Sequence, residues 1–207
     1  MSPLFGIVLA GGRSRRMGTP KPALDAGGRS FLEHTIGLLR AVCREVWVSR
    51  APDTVLDVPA GAHGVLVDDE PDGGPLVAIR TALNFRTGVA WLVVAVDMPL
   101  LTADALARLA ASRAPGYEAT AFRNPETDGP EPLCTIFETS ARRTLTECAD
   151  SGERSVRRAL SRLETRLVEP VDDRILWNAN TPEDLELKGS LEYATGRYEH
   201  TLKRSHV

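Results

Sequence analysis

Residues Phe5-Gly6-Ile7-Val8-Leu9-Ala10 carry no polar side chain, and the run stops at Gly11-Gly12. A strand with one wet face alternates apolar and polar residues. A continuous apolar run closed by glycine fits a strand covered on both faces, as in a parallel sheet with helices above and below. Residues 45–49, 64–67 and 91–96 are likewise continuous rather than alternating, most strongly in Trp91-Leu92-Val93-Val94-Ala95-Val96. Between them, Phe31, Leu32, Ile36, Leu39 and Val42 fall at helical spacing, as do Leu76, Ile79 and Leu83. Successive βαβ units follow, hence an α/β chain with a mostly parallel sheet and right-handed crossovers. In such sheets ligands bind beyond the carboxyl ends of the strands, so the segments after Leu9 and Val96 are the places to look.

The second half predicts a helix at about 102–112 capped by Thr102, strands at 118–122 and 133–137 split by the polar loop 123–130, and helices at about 140–149 and 153–163. A short strand near 166–168 comes next, and a further helix begins at Thr181-Pro182-Glu183-Asp184, where threonine caps, proline takes the first turn and two acids face the positive end of the dipole. We expect one domain over residues 1–188, with residues 189–207 as a tail or extra helix.

There are 25 basic and 28 acidic residues, a formal charge of −3, so no global field recruits nucleic acid. The basic cluster Arg13, Arg15, Arg16 and Lys21 is therefore local, on the scale of a small anion. No apolar run approaches the roughly eighteen residues of a membrane span, and the cytoplasm is the expected compartment. Cys43, Cys134 and Cys148 show no metal or disulfide spacing and read as small hydrophobes. His34, His63, His200 and His206 form no triad pattern with a serine or cysteine.

Several segments could carry chemistry, each with a plainer alternative. The segment Gly11-Gly12-Arg13-Ser14-Arg15-Arg16-Met17-Gly18, followed by Lys21, combines close backbone approach with positive charge, as a polyphosphate requires; a solvated basic loop is the alternative. Asp97-Met98-Pro99 puts a carboxylate at the end of the strongest apolar run, where it serves either a magnesium ion or the following turn. Asp68-Asp69-Glu70-Pro71-Asp72-Gly73-Gly74-Pro75 ends another strand with four acids, which need solvent, donors or a cation. Asn178 and Asn180, before the Thr181 cap, are turn formers or readers of a second substrate.

Taken in order, these segments resemble the molybdopterin nucleotidyltransferases, and most closely the molybdenum cofactor guanylyltransferases. The resemblance rests on Leu9-Ala10-Gly11-Gly12, Arg15-Arg16-Met17-Gly18, Lys21, Asp69 with Gly74-Pro75-Leu76, and Asp97-Met98-Pro99. It continues through Glu131-Pro132-Leu133, Gly152-Glu153-Arg154-Ser155 and Asn178-Ala179-Asn180-Thr181, so it runs from about residue 5 to 186. It implies a three-layer αβα, Rossmann-like mixed sheet and transfer of GMP from GTP to molybdopterin with release of pyrophosphate. It places the nucleotide on Leu9, Ala10, Gly11, Gly12, Lys21, Asp69 and Asp97, and Mg2+ on Asp97. Lys21, Arg15 and Asp97 become the catalytic groups, and Asn178 and Asn180 the acceptor side. GTP and molybdopterin are the implied small-molecule substrates, with a cofactor-delivery protein as a further partner. Pro20 before Lys21 and Ser49 after the second strand depart from the guanylyl pattern, and Met17-Gly18-Thr19-Pro20-Lys21 is more like the molybdopterin cytidylyltransferases. The alternatives are thus a cytidylyl or other small-molecule nucleotidyltransferase, and a nucleotide-binding module without turnover.

Overall fold

The computed structural model describes residues 1–10, 30–71 and 73–179. Seven strands form one sheet: β1 (Leu4–Leu9), β2 (Val46–Arg50), β3 (Gly64–Val67), β4 (Ala90–Ala95), β5 (Ala119–Arg123), β6 (Pro130–Phe137) and β7 (Thr165–Val168), in the order β3-β2-β1-β4-β6-β5-β7. All neighbours are parallel except β6, which runs against β4 and β5. The reversal has a local cause. Asn124 Oδ1 accepts from the backbone N–H groups of Glu126 and Thr127, and Asp128 sits at φ 55°, so a tight polar turn folds β6 back beside β5.

Helices cover both faces: α1 (Phe31–Arg40), α2 (Gly74–Phe85), α3 (Ala103–Ala111), α4 (Arg142–Asp150) and α5 (Val156–Leu160). Side chains alternate across β1 and β4. Val8, Leu92 and Val94 pack with α1 and α3, whereas Ile7, Trp91 and Val93 pack with α2, α4 and α5. Two apolar layers thus flank the sheet, which is why the central strands read as unbroken apolar runs. The expected three-layer mixed sheet is the fold observed.

Most predicted elements are present within a residue or two. Ser30 caps α1 in a reciprocal box with Glu33, and the Thr102 hydroxyl accepts from Ala105 N–H at the start of α3. The helix expected over 153–163 is shorter: the Ser155 hydroxyl caps it by accepting from Arg158 N–H, and it closes at Leu160. A 3₁₀ turn, Thr139–Ala141, precedes α4, and another, Asp173–Leu176, follows β7. The helix expected at Thr181 and the tail lie outside the described residues. Cys134 and Cys148 are buried and Cys43 half-buried, all as free thiols. Burial pushes the Cys43 thiol up to about 12, which suits packing and not nucleophilic chemistry. No described helix is long and apolar enough to cross a membrane.

Candidate active site at the carboxyl edge of the sheet

The strand order reverses direction at β1, between β2 and β4, so β1 and β4 end side by side at the switch point, where open α/β sheets bind ligands in a crevice. Leu9 is level with Ala95 in the parallel register, and Val96 N–H reaches Leu9 O at 3.4 Å. On the other flank Ala10 N–H donates to Ser49 O at 3.2 Å. Leu9 and Ala10 therefore end beside the residues that lead from β4 into Asp97. Gly11, Gly12, Arg15 and Lys21 follow directly in the chain and lie outside the described residues.

The acceptor-side expectation joins the same edge. The chain leaves β7, makes the 3₁₀ turn with Ile175 and Leu176 buried, and returns so that Ala179 N–H donates to Asp97 O at 2.9 Å. Asn178 is thereby held one residue from a backbone bond to Asp97, with its Nδ2 donating to Leu176 O at 3.4 Å. Some eighty residues of sequence separate Asn178 from Asp97, and the topology brings them together. Asn180 lies outside the described residues.

The acidic run after β3 divides into two. Ser49 Oγ donates to Asp68 Oδ1 at 2.7 Å, and Asp68 N–H bonds Arg50 O, so Asp68 continues the line of strand ends beyond β2. Burial raises its carboxyl to about 6, against the lowering effect of the Ser49 bond and with a smaller upward push from Asp69. Asp69, the residue expected to meet the nucleotide, gives its carboxylate to Arg80 of α2, as does Glu70 at 2.9 Å. The acidic run singles out Asp69 and not Asp68; what sets Asp68 apart is that it directly follows β3 opposite the Ser49 hydroxyl.

Beyond these acids Gly73 and Gly74 start α2. A Cβ at Gly73 would sit 2.6 Å from Val77 Cγ2, and Gly74 adopts φ +71°, so both positions demand glycine. No side chain caps this helix start, and Pro75 lies in its first turn. Across the crevice, Glu131 opens β6 at the same edge. It is buried, accepting from Asn124 Nδ2 at 2.6 Å and from Leu133 N–H at 3.2 Å.

Among the described residues no three His, Cys, Asp or Glu side chains gather as a closed metal centre. Asp97 follows β4 at this edge and brings a carboxylate to it. A hard cation that keeps waters and substrate oxygens in its shell fits one carboxylate at a strand end, whereas a soft or fully caged metal does not.

A crevice at the β1/β4 switch point, an aspartate closing β4 and a returning asparagine segment are consistent with nucleotide transfer. The sequence comparison decides the family: the MobA-like NTP transferase domain matches residues 6–166. The chain belongs to the MobA-like NTP transferases. It is therefore a nucleotidyltransferase. It is 33% identical over 192 residues to a probable molybdenum cofactor guanylyltransferase of Rhodopirellula baltica, covering 88% of this chain and 90% of that protein. It is also 31% identical over 183 residues to a molybdenum cofactor biosynthesis bifunctional protein of Synechocystis, covering 88% of this chain but only 53% of that longer protein. Among solved structures, the molybdopterin-guanine dinucleotide biosynthesis protein A of Archaeoglobus fulgidus shares the fold with TM-score 0.74 at 21% identity, over 92% of this chain and 99% of that one. The 2-C-methyl-D-erythritol 4-phosphate cytidylyltransferase of Thermus thermophilus shares it with TM-score 0.63 at 20% identity, over 90% and 98%. The shared fold by itself does not fix the acceptor.

Proposed function

We propose that this chain transfers GMP from GTP to the terminal phosphate of molybdopterin. The bond between the α-phosphorus and pyrophosphate breaks as a bond to the acceptor phosphate oxygen forms. The observation that carries the reading is the convergence of Leu9, Ala10, Asp97 and Asn178 on one edge, joined by the Ala179 N–H bond to Asp97 O. The relatives named as probable molybdenum cofactor guanylyltransferases, 33% identical over about nine-tenths of their length, support the choice of base and acceptor.

In this reading the backbone of Leu9, Ala10, Gly11 and Gly12 passes beside the nucleotide, with Asp68 and Asp69 at its far end. Lys21 and Arg15 neutralise charge that builds on the departing pyrophosphate. Asp97 holds Mg2+, whose contribution when bound is to neutralise phosphate charge. Asn178 and Asn180 orient the acceptor. The acceptor is a phosphate monoester, ionised near neutral pH, so no side chain has to remove a proton and the protein's work is positioning. Because nucleoside triphosphates and the pterin are intracellular substrates, the reading places the enzyme in the cytoplasm, where a delivery protein would receive the product.

The test is pyrophosphate release by the purified chain with Mg2+ and molybdopterin, comparing GTP, CTP and UTP. Turnover with GTP at least tenfold above the others is the expected result, in keeping with a site that reads base edges by hydrogen bonds. Preference for CTP would overturn the base assignment, and no turnover with any of the three would overturn the transferase reading of this chain.

A further inference from the structure

One side chain holds the acidic loop that leads from β3 into α2. Arg80 lies on the second turn of α2 and is only 6% exposed. Its Nη2 donates to Asp69 Oδ1 and to Glu70 Oε1, and its Nη1 donates to Asp150 Oδ1 at 2.8 Å, at the carboxyl end of α4. Glu70 is bound a second time, by Arg154 Nη2 at 2.8 Å just ahead of α5.

Neutralising buried acids does not explain this arrangement. The Asp69 and Asp150 side chains are 59% and 61% exposed, so water already solvates them, and ion pairs to such groups add little stability. What a buried, planar guanidinium does add is direction: its fork fixes where each carboxylate points. The helix that carries Arg80 also carries Gly73 and Gly74 at its start, so the loop is held at both ends by one rigid element.

Resting on the reading that Asp69 belongs to the nucleotide site, we propose that Arg80 is a positioning residue for nucleotide binding. It orients Asp69 and braces Asp69 and Glu70 against the end of α4.

The test measures Mg-GTP affinity by calorimetry, together with KM and kcat for pyrophosphate release, on the full chain carrying Arg80→Met, Arg80→Lys, Asp69→Asn or both Arg80→Met and Asp69→Asn. Arg80→Met is expected to raise the GTP Kd and KM about tenfold while kcat at saturation stays within about threefold, the signature of lost pre-organisation of a binding contact. Arg80→Lys, which keeps the charge but not the fork, should recover part of the affinity. The double variant should bind no more weakly than Asp69→Asn, because the two residues act through one contact. Unchanged affinity in Arg80→Met, with Asp69→Asn weakened, overturns the positioning role alone. Unchanged affinity in Asp69→Asn removes Asp69 from the nucleotide site and this proposal with it. If Arg80→Met fails to fold, Asp150→Asn removes the α4 brace at an exposed position; a rise in Kd of about threefold supports the proposal and none overturns it.

Discussion

Two arginines are tucked into opposite ends of the sheet, and they are matched very differently. Arg113 sits at the end where β1 begins, facing one carboxylate in a bidentate pair: Nε to Glu138 Oε1 at 2.6 Å and Nη2 to Glu138 Oε2 at 2.8 Å, with Ser2 O as a further acceptor. Both side chains are nearly buried, at 7% and 13% exposure, and charge balances one to one. Arg80 sits at the end where β3 gives way to α2 and faces three carboxylates, two of them largely in water. The first arrangement is what a fold needs to close an edge: buried charges cancelled in place. The second gathers three acids around one guanidinium, with Arg154 as a second cation on Glu70. Asp68 and the buried Glu131 lie at the same edge, where β4 also leads into Asp97.

Substitutions at each end test that contrast. The largest effect belongs to Asp97→Ala, which should lower kcat/KM about a thousandfold or more, as expected when an oriented metal ligand is lost, while the thermal transition stays within a few degrees. Steady-state pyrophosphate release beside a melting curve checks it, and near wild-type turnover would remove Asp97 from the reaction. At the opposite end Arg113→Met should do the reverse. It leaves Glu138 buried and uncompensated and should cost about 3–5 kcal/mol of stability by denaturant titration, with GTP affinity unchanged in whatever remains folded. A loss of nucleotide affinity as large as that at Arg80 would erase the distinction between the two ends.

Asp68→Asn gives a smaller effect of opposite sign. In the folded chain this carboxyl titrates near 6, against an ordinary 3.8, because burial disfavours its charged form. The native state therefore binds the extra proton between those values, and stability falls as pH rises through the window. Replacing Asp68 by asparagine should raise stability above pH 6 by about 1 kcal/mol after allowance for its partial exposure, and by nothing below pH 4. Melting curves across pH 4–8 decide it; a variant less stable than wild type at pH 8 would contradict the burial argument. If the carboxylate contacts the nucleotide, GTP affinity in the wild type should also strengthen as pH rises through 6. Similar in size but confined to stability is Ser155→Ala, which removes the cap of α5 and should cost about 1 kcal/mol in a denaturant melt, with no change in KM. A change in KM would extend the functional edge to α5.

Much of this was readable in one dimension because each reading rested on local physics. Unbroken apolar runs at β1 and β4 announce strands covered on both faces, the Thr102 hydroxyl announces a helix start, and Gly73-Gly74-Pro75 announces a turn into a helix. The site was harder to read. Asp69 and Asp68 are neighbours in the same acidic run, and nothing in the order of residues says that one turns to Arg80 while the other stays beside Ser49. That division depends on the alternation of side chains at the end of β3 and on which helix face lies underneath. Glu131 is a similar case: its burial follows from β6 running backwards beside β4, which a hairpin of polar residues decides.

The chain's own order of residues was enough to establish an α/β sheet, a glycine turn followed by basic residues, and an aspartate closing the most apolar strand, since propensity, periodicity and capping act over a few residues. Only the folded chain decided which groups meet: that residue 179 bonds to residue 97, that Arg80 faces three acids and Arg113 one, and that Asp68 is pressed into a setting that resists its charge. Those outcomes come from strand order and from the cost of removing charge from water, and both depend on groups far apart in the chain.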